Sequence, residues 1–438
     1  MEYEQAERLK QIPPYLFVRL EKLSREKKEQ GWDMIDFGIG DPDLPAPAEI
    51  VDEMCRQAEI NENQKYSSSQ GERSLRVAVA QWYKKRFGLD IDPDTQVCIT
   101  IGSKEGIFNI AQAFVNPGET IIAPSPGYPV YSGAATLFNE AKCVKVPLKK
   151  EKDWLLDVDD CPEGARMLYL NYPNNPTGAT CDLAYLKKVY DWCQKNGTIL
   201  CYDAAYSEMC YDGYQAPSIL EAGPDAIEFG SFSKTFCMTG FRLGYAVGHP
   251  DLIAGLTKCK GQIDSGAPIF IQKAAEKALS LYGPDGEPPE CVSVNMDEYA
   301  ERRRVLVEGL RSLGYDVQMP KGTFYVWFDC GMPSFEFTQK MIDLGIIVTP
   351  GSGFGESADG YIRMAVTKPV DRIQEAIERM RRGSYQRSRS HETGSPSGPL
   401  FPFIPGRFGC VPSGTPSIDI GSPDINTEAV FHRPPDSA

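Results

Sequence analysis

A chain of 438 residues with 42% hydrophobic content is long enough to bury a large core in two or more lobes. Its formal charge of −14 and pI near 4.9 give it no overall attraction for nucleic acid or an anionic membrane. Thirteen scattered cysteines without a Cys-x-x-Cys pair, three histidines, and no basic-then-apolar leader or long apolar run point away from a zinc site and a membrane span, and toward reduced thiols in a cytoplasm.

In chain order, Arg8 to Tyr15 reads as an N-terminal arm and Leu16 to Glu29 as a first helix. The glycine-rich loop Gly38-Ile39-Gly40-Asp41-Pro42-Asp43 follows, and Tyr66 leads the polar run Ser67-Ser68-Ser69-Gln70-Gly71. From about residue 50 to 285 strand and helix patterns alternate, which predicts a mostly parallel sheet covered by helices on both faces, with right-handed crossovers. Val97-Cys98-Ile99-Thr100-Ile101 is a short apolar strand pattern, followed by Gly102-Ser103-Lys104-Glu105-Gly106 and a helix pattern through Phe114. A strand, a glycine turn and a helix start make an anion site, although alone this is also an ordinary strand-to-helix turn with Lys104 in solvent.

Met167 to Leu170 and Ile199 to Tyr202 read as two more strands. The first ends in Asn171-Tyr172-Pro173-Asn174-Asn175-Pro176-Thr177-Gly178, and the second in Asp203-Ala204-Ala205-Tyr206, so a carboxylate stands at the carboxyl end of a strand, where open α/β sheets bind ligands. Asp203 could equally cap a helix, but that would not account for Lys234, one helix-plus-strand excursion later. Lys234 lies in Ser231-Phe232-Ser233-Lys234-Thr235-Phe236, with Arg242 downstream in Thr239-Gly240-Phe241-Arg242-Leu243-Gly244. A lysine amine among hydroxyls, with a guanidinium nearby, suits a phosphorylated aldehyde: the amine condenses with the carbonyl, while serines and arginine hold a dianion. Asp203 would then keep a pyridine nitrogen protonated, making the ring an electron sink. Cys201, Cys210 and Cys237 lie close by and read as small core residues, with no base in view to activate them.

After a loop at Tyr282 to Pro289, a helix pattern from Val294 to Leu313 leads to a strand pattern over Gly322 to Phe328. Tyr361-Ile362-Arg363-Met364-Ala365 then places an arginine inside an apolar strand pattern, where it needs an anion unless it stands at a sheet edge. A bidentate guanidinium matches the planar carboxylate of an amino acid. A helix pattern from Val370 to Arg382 follows, and the basic cluster Arg379, Arg381 and Arg382 reads as its solvated, dipole-favoured end. From Gly383 to Ala438 nearly half the residues are Pro, Gly or Ser, so this tail is expected to be disordered.

On these residues, over roughly 10 to 382, the chain resembles the fold-type I pyridoxal-phosphate enzymes, in particular the class I/II aminotransferases. The resemblance implies an α/β fold whose large domain, over 50–285, has a mostly parallel seven-stranded sheet between helices. A smaller α+β domain over 286–382 would be completed by residues 1–49, with the tail at 383–438 outside. It implies pyridoxal phosphate as cofactor, an internal Lys234 link, Asp203 on the ring nitrogen, and Asn175 and Tyr206 on the ring hydroxyl oxygen. Tyr128, in Pro124-Ser125-Pro126-Gly127-Tyr128-Pro129, would stack on the ring, where residues alone allow a packed loop tyrosine. Ser103, Lys104, Ser231, Ser233 and Arg242 would hold the phosphate, together with Tyr66 reaching across a homodimer. Gly40, Asn175 and Arg363 would bind the substrate carboxylate.

The implied activity is ping-pong transfer of an amino group between an L-amino acid and a 2-oxo acid, with no metal, nucleic acid or membrane partner. The segments Gly40 to Pro45, Gly102 to Gly106, Asp203 to Glu208 and Tyr361 to Arg363 further resemble a branch acting on glutamate and the cyclic oxo-acid precursor of LL-diaminopimelate, in lysine biosynthesis. The same segments occur in aspartate, alanine and aromatic aminotransferases. The residues leave open a lyase using the same cofactor, and a non-catalytic regulator.

Overall fold

The computed structural model describes residues 3–11 and 16–392. Seven strands form the main sheet: β1 (Val97–Thr100), β2 (Thr120–Ser125), β3 (Lys142–Pro147), β4 (Met167–Leu170), β5 (Ile199–Asp203), β6 (Ile227–Ser231) and β7 (Gly244–Gly248). They lie in the order β1-β7-β6-β5-β4-β2-β3. The pairs from β6 to β3 are parallel, as the alternating pattern predicts, whereas β7 is antiparallel to both β6 and β1. The central strands are apolar without alternation because both faces are covered; β4 is buried along its whole length.

Local signals fix the connections. The helix Leu183–Asn196 starts where the Asp182 carboxylate accepts from the Tyr185 amide at 2.8 Å and stops at Gly197, whose φ is 64°. That length returns the chain to the start of β5. Gly244 opens β7 because the main chain of the neighbouring elements leaves no room for a side chain: a Cβ there would lie 2.6 Å from the Ser103 amide nitrogen.

A second, three-stranded antiparallel sheet is built from β8 (Tyr325–Asp329), β9 (Thr349–Pro350) and β10 (Tyr361–Ala365), with β10 in the middle. Arg363 on β10 is directly opposite Trp327 on β8, so it stands mid-sheet rather than at an edge. The N-terminal segment joins this part of the fold: Ile35–Asp36 pairs in parallel with Ile346–Ile347, and Ile35 and Phe37 share a core with Val326, Phe328 and Ile362.

Three helices depart from their patterns. The helix expected from Ile107 begins at Ser103, directly after the glycine turn. That expected over Val294 to Leu313 runs over Glu290–Ser312. The helix from Val370 passes Arg382 and continues to Glu392, so Arg379, Arg381 and Arg382 are not its end. Their charges are met by carboxylates instead: Arg379 bonds Asp33 and Glu375, and Arg381 and Arg382 bond Glu378. The tail expected to be disordered from Gly383 is therefore helical as far as Glu392; the rest of it lies outside the described residues, as do Ile12 to Tyr15 of the N-terminal arm.

Candidate active site

The carboxyl ends of β1, β4, β5 and β6 open onto one cavity of about 420 Å³. Of the expected site residues, Gly40, Ser103, Lys104, Tyr128, Asn175, Asp203, Tyr206, Ser231, Ser233, Lys234, Arg242 and Arg363 all line it. Tyr66 does not; it is 89% exposed on the surface of the single chain. A slightly larger cavity of about 460 Å³, behind the Thr177–Cys181 segment, holds none of them, so chemistry rather than size marks the site.

Each side chain is set by its element. Asp203 is the last residue of β5, and its main-chain oxygen accepts from Asn171 Nδ2 at 2.7 Å at the neighbouring end of β4. Asn171 Oδ1 in turn accepts from the Asn175 amide at 2.8 Å, which pins the Asn175 turn beside Asp203. Lys234 projects from the one-turn helix Phe232–Thr235 that follows β6, where the Ser231 hydroxyl caps the Ser233 amide. Its Nζ donates to the Gly40 carbonyl at 2.7 Å.

Burial and charge tune these groups. The Lys234 amine is brought down to about 8, chiefly by burial, with Arg363 and Arg242 adding to the effect and Asp41 opposing it. The Asp203 carboxyl is pushed up from 3.8 to about 6 by burial, against the Tyr131 hydroxyl, which donates to it at 2.6 Å, and the Ala205 amide. The Lys104 amine is lowered by burial and by Arg242 beside it. Arg363 is buried; its Nη1 donates to Asn175 Oδ1 at 2.9 Å and its Nη2 to the Gly38 carbonyl at 2.8 Å. Tyr206 and Tyr325 share a hydrogen bond at 2.9 Å between their hydroxyls.

This donor set fits pyridoxal phosphate. One end of the cavity gathers two cations and three serines around the amino end of the helix Ser103–Phe114, and the bare Cα of Gly102 admits the Arg242 guanidinium, since a Cβ would lie 2.7 Å from its Nη2. That end suits a dianion. At the other end a buried carboxylate takes its hydrogen bonds from a phenol and an amide, which leaves its charge to be matched by a protonated ring nitrogen. The three cysteines near these motifs are not activated: burial raises each thiol, Cys201 is fully buried, and Cys210 and Cys237 are partly exposed rather than in the core.

Several residues in or directly behind the cavity wall escape a reading of the sequence. Tyr131 lies in the one-turn helix Pro129–Ser132, and only its place one helical turn after Tyr128 hints that it shares that residue's surroundings. Asn171 is the first residue after a strand, the position that also marks Asp203's neighbourhood. Tyr325 and Phe354 come from the second sheet and the loop beside it, and nothing local to them signals a site.

A seven-stranded α/β sheet with a lysine, an aspartate and an arginine converging at its carboxyl edge fits a transaminase. Residues 32–380 match the family "Aminotransferase class I and II", and the chain belongs to that family, whose members are in general pyridoxal-phosphate-dependent. The chain is 44% identical to the LL-diaminopimelate aminotransferase of Moorella thermoacetica over 390 residues, which cover 86% of this chain and 98% of that protein. It is also 44% identical to the enzyme of that name from Aquifex aeolicus over 389 residues, covering 86% and 99%. Among solved structures, substrate-bound BacF from Bacillus subtilis superposes with a TM-score of 0.82 at 29% identity, over 87% of this chain and 98% of that one. Aspartate aminotransferase from Thermus thermophilus with maleate does so with a TM-score of 0.80 at 26% identity, over 87% and 100%.

Proposed function

We propose that this chain binds pyridoxal phosphate in the cavity at the carboxyl edge of the sheet and moves an amino group between LL-diaminopimelate and 2-oxoglutarate. The observation that carries the reaction is the convergence of Lys234, Asp203 and Arg363 on one cavity. The substrate pair is supported by the relatives named above and by the segments around Gly40, Asp203 and Arg363.

Ser103, Lys104, Ser231, Ser233, Arg242 and the first amides of the helix Ser103–Phe114 would hold the phosphate; Tyr128 would cover one face of the ring. Asp203 would pair with the ring nitrogen, and Asn175 and Tyr206 would donate to the ring hydroxyl oxygen. Once bound, the cofactor supplies an electron sink that makes the substrate α-proton acidic. Arg363 binds the substrate carboxylate in a fork and turns the α-proton toward Lys234. Lys234, whose amine faces the cavity, would accept that proton and return it. An amine brought down to about 8 is suited to this, because a useful fraction is neutral near neutral pH while its conjugate acid can still return the proton.

Tyr66 belongs to the same proposal: it would reach the phosphate site of a second copy in a homodimer. Its 89% exposure in the single chain is what such a role needs. The domain limits at 50–285 and 286–382 and a cytoplasmic location are likewise proposed; among the described residues no helix is long and apolar enough to cross a membrane.

The test is the absorbance spectrum of the purified protein, before and after LL-diaminopimelate, glutamate, alanine, aspartate and phenylalanine are added separately. Loss of the visible band with LL-diaminopimelate and glutamate alone supports both reaction and substrate. A response only to other amino acids would remove the substrate, and a colourless protein that takes up no cofactor would remove the function.

A further inference from the structure

Tyr325 on β8 is buried and lines the cavity, yet no role above falls to it. Three features meet on this one side chain. Its hydroxyl is 2.9 Å from that of Tyr206. The Arg363 guanidinium lies over its ring, 4.2 Å from the centroid. Its hydroxyl also packs against the bare Cα of Gly40, where a Cβ would sit 2.0 Å away, and the carbonyl of that glycine holds Lys234.

Only one of two phenols can donate in a shared hydrogen bond, and the surrounding charges decide which. Arg363, against the Tyr325 ring, favours electron density on that phenol and strengthens its O–H as a donor. Arg363 acts on Tyr206 in the same sense, but there Asp203 opposes it. The remaining charged group facing Tyr325 is Asp41, which weakens the effect of Arg363 without reversing the order, since Arg363 acts more strongly. The guanidinium over its ring favours Tyr325 as the donor and Tyr206 as the acceptor, an order that would turn the Tyr206 proton toward the cavity.

We propose that Tyr325 is a positioning residue that passes the charge of Arg363 to the Tyr206 hydroxyl, so that a carboxylate bound at the arginine is felt at the cofactor's ring oxygen. The inference rests on the placement of pyridoxal phosphate given above. A carboxylate on Arg363 neutralises the guanidinium and Tyr325 becomes a weaker donor. Tyr206 would then donate less strongly to the ring oxygen, and the Lys234 nitrogen would hold its proton more tightly. The Arg363–Asn175 bond provides a parallel route, so losing the Tyr325 hydroxyl reduces the coupling without abolishing it.

The experiment is a spectrophotometric pH titration of the visible band in the holoenzyme, for wild type, Tyr325→Phe, Tyr206→Phe and the double variant, with and without 2-oxoglutarate. Phenylalanine keeps the ring under Arg363. Tyr325→Phe should raise the midpoint by about half a unit to one unit, a roughly three- to ten-fold rise in proton affinity, and should shrink the further rise on adding 2-oxoglutarate. In the Tyr206→Phe background the Tyr325 change should do nothing. A midpoint that is unchanged or lower in Tyr325→Phe, or an effect that persists without the Tyr206 hydroxyl, overturns the inference while leaving the function intact. A wild-type protein with no visible band overturns the function and the inference together.

Discussion

Tyr131 donates its phenolic proton to Asp203 across 2.6 Å inside the protein, with its ring stacked on Tyr169 at 5.0 Å and 11°. The stack leaves the phenol little freedom to turn away, so the donor is fixed before any ligand arrives. Removing it by Tyr131→Phe leaves the buried carboxylate with the Ala205 main-chain amide as donor and favours the neutral acid. Cofactor affinity should fall by on the order of ten-fold, the cost of one hydrogen bond to a charged group. Equilibrium dialysis of pyridoxal phosphate checks this; equal affinity would mean that Asp203 is held ionised by something other than Tyr131.

Asp203 also predicts how the cofactor-free protein responds to pH. Its folded-state pKa, about 6, is above the ordinary 3.8, so folding favours the protonated form. The penalty for burying the charge is absent below about 3.8 and complete above about 6, on the order of 3 kcal/mol. Asp203→Asn has no such proton to lose. The melting temperature of that variant should gain on wild type as the pH rises from 4 to 6 and keep a constant lead above it; a difference flat across this window would show that the carboxyl titrates normally.

Lys234 carries the opposite sign. Burial brings the amine down to about 8, so at neutral pH the fold bears the cost of a charge it would rather shed. Lys234→Met keeps the aliphatic stem and removes the amine. Turnover should vanish, while the melting temperature of the cofactor-free protein at pH 7 should be equal to or above that of wild type. Residual turnover near wild type would remove Lys234 from the chemistry; a large fall in stability would mean that the bond to the Gly40 carbonyl outweighs desolvation.

Residues whose chemistry is written into a local run were legible from sequence: Asp203 at the end of a strand, Lys234 among serines, and the glycine turn before Ser103 all lie where the pattern puts them. Parts made by long-range packing were not. Tyr131 becomes a donor only because β5 brings Asp203 beside it, and Tyr325 enters the site from a separate sheet. Strand β7 lacks an apolar signal because glycines begin and end it, and the sheet's antiparallel turn passed unseen with it. In the last helix, which runs beyond the point where composition changes, Arg379 takes Asp33 as a partner that a sequence window cannot show, beside the Glu375 and Glu378 pairs one helical turn away.

Arg363 makes a prediction about substrate rather than cofactor. Its two terminal nitrogens bond to different groups, Asn175 and the Gly38 carbonyl, a geometry available to a planar fork and denied to an ammonium. Arg363→Lys keeps the charge but should raise KM for the amino acid by roughly ten- to a hundred-fold, the worth of one to two charge-assisted hydrogen bonds. Pyridoxal phosphate affinity should change by less than a factor of about three, since the terminal nitrogens of the arginine bond Asn175 and the Gly38 carbonyl on the substrate side. Steady-state kinetics and a cofactor titration on the same preparation separate the two, and a parallel loss of both would place Arg363 on the cofactor instead.

Tyr66 is the one expected site residue that the single chain leaves outside the cavity. Its segment is nonetheless firmly built: Ser67 bonds Glu72 and Gln272, and Ser68 bonds the Gly71 carbonyl, so the tyrosine is presented outward by a braced turn. An aromatic held 89% exposed on such a turn is free to work on a second copy. Tyr66→Phe should weaken cofactor binding by a factor of about three to ten, the loss of one hydrogen bond to phosphate, without altering the sedimentation coefficient of the protein. Wild-type protein diluted until it sediments as a monomer should show the same or a larger loss of cofactor. A monomer that holds pyridoxal phosphate as tightly as the concentrated protein would confine the whole phosphate site to one chain, and Tyr66 would then be surface alone.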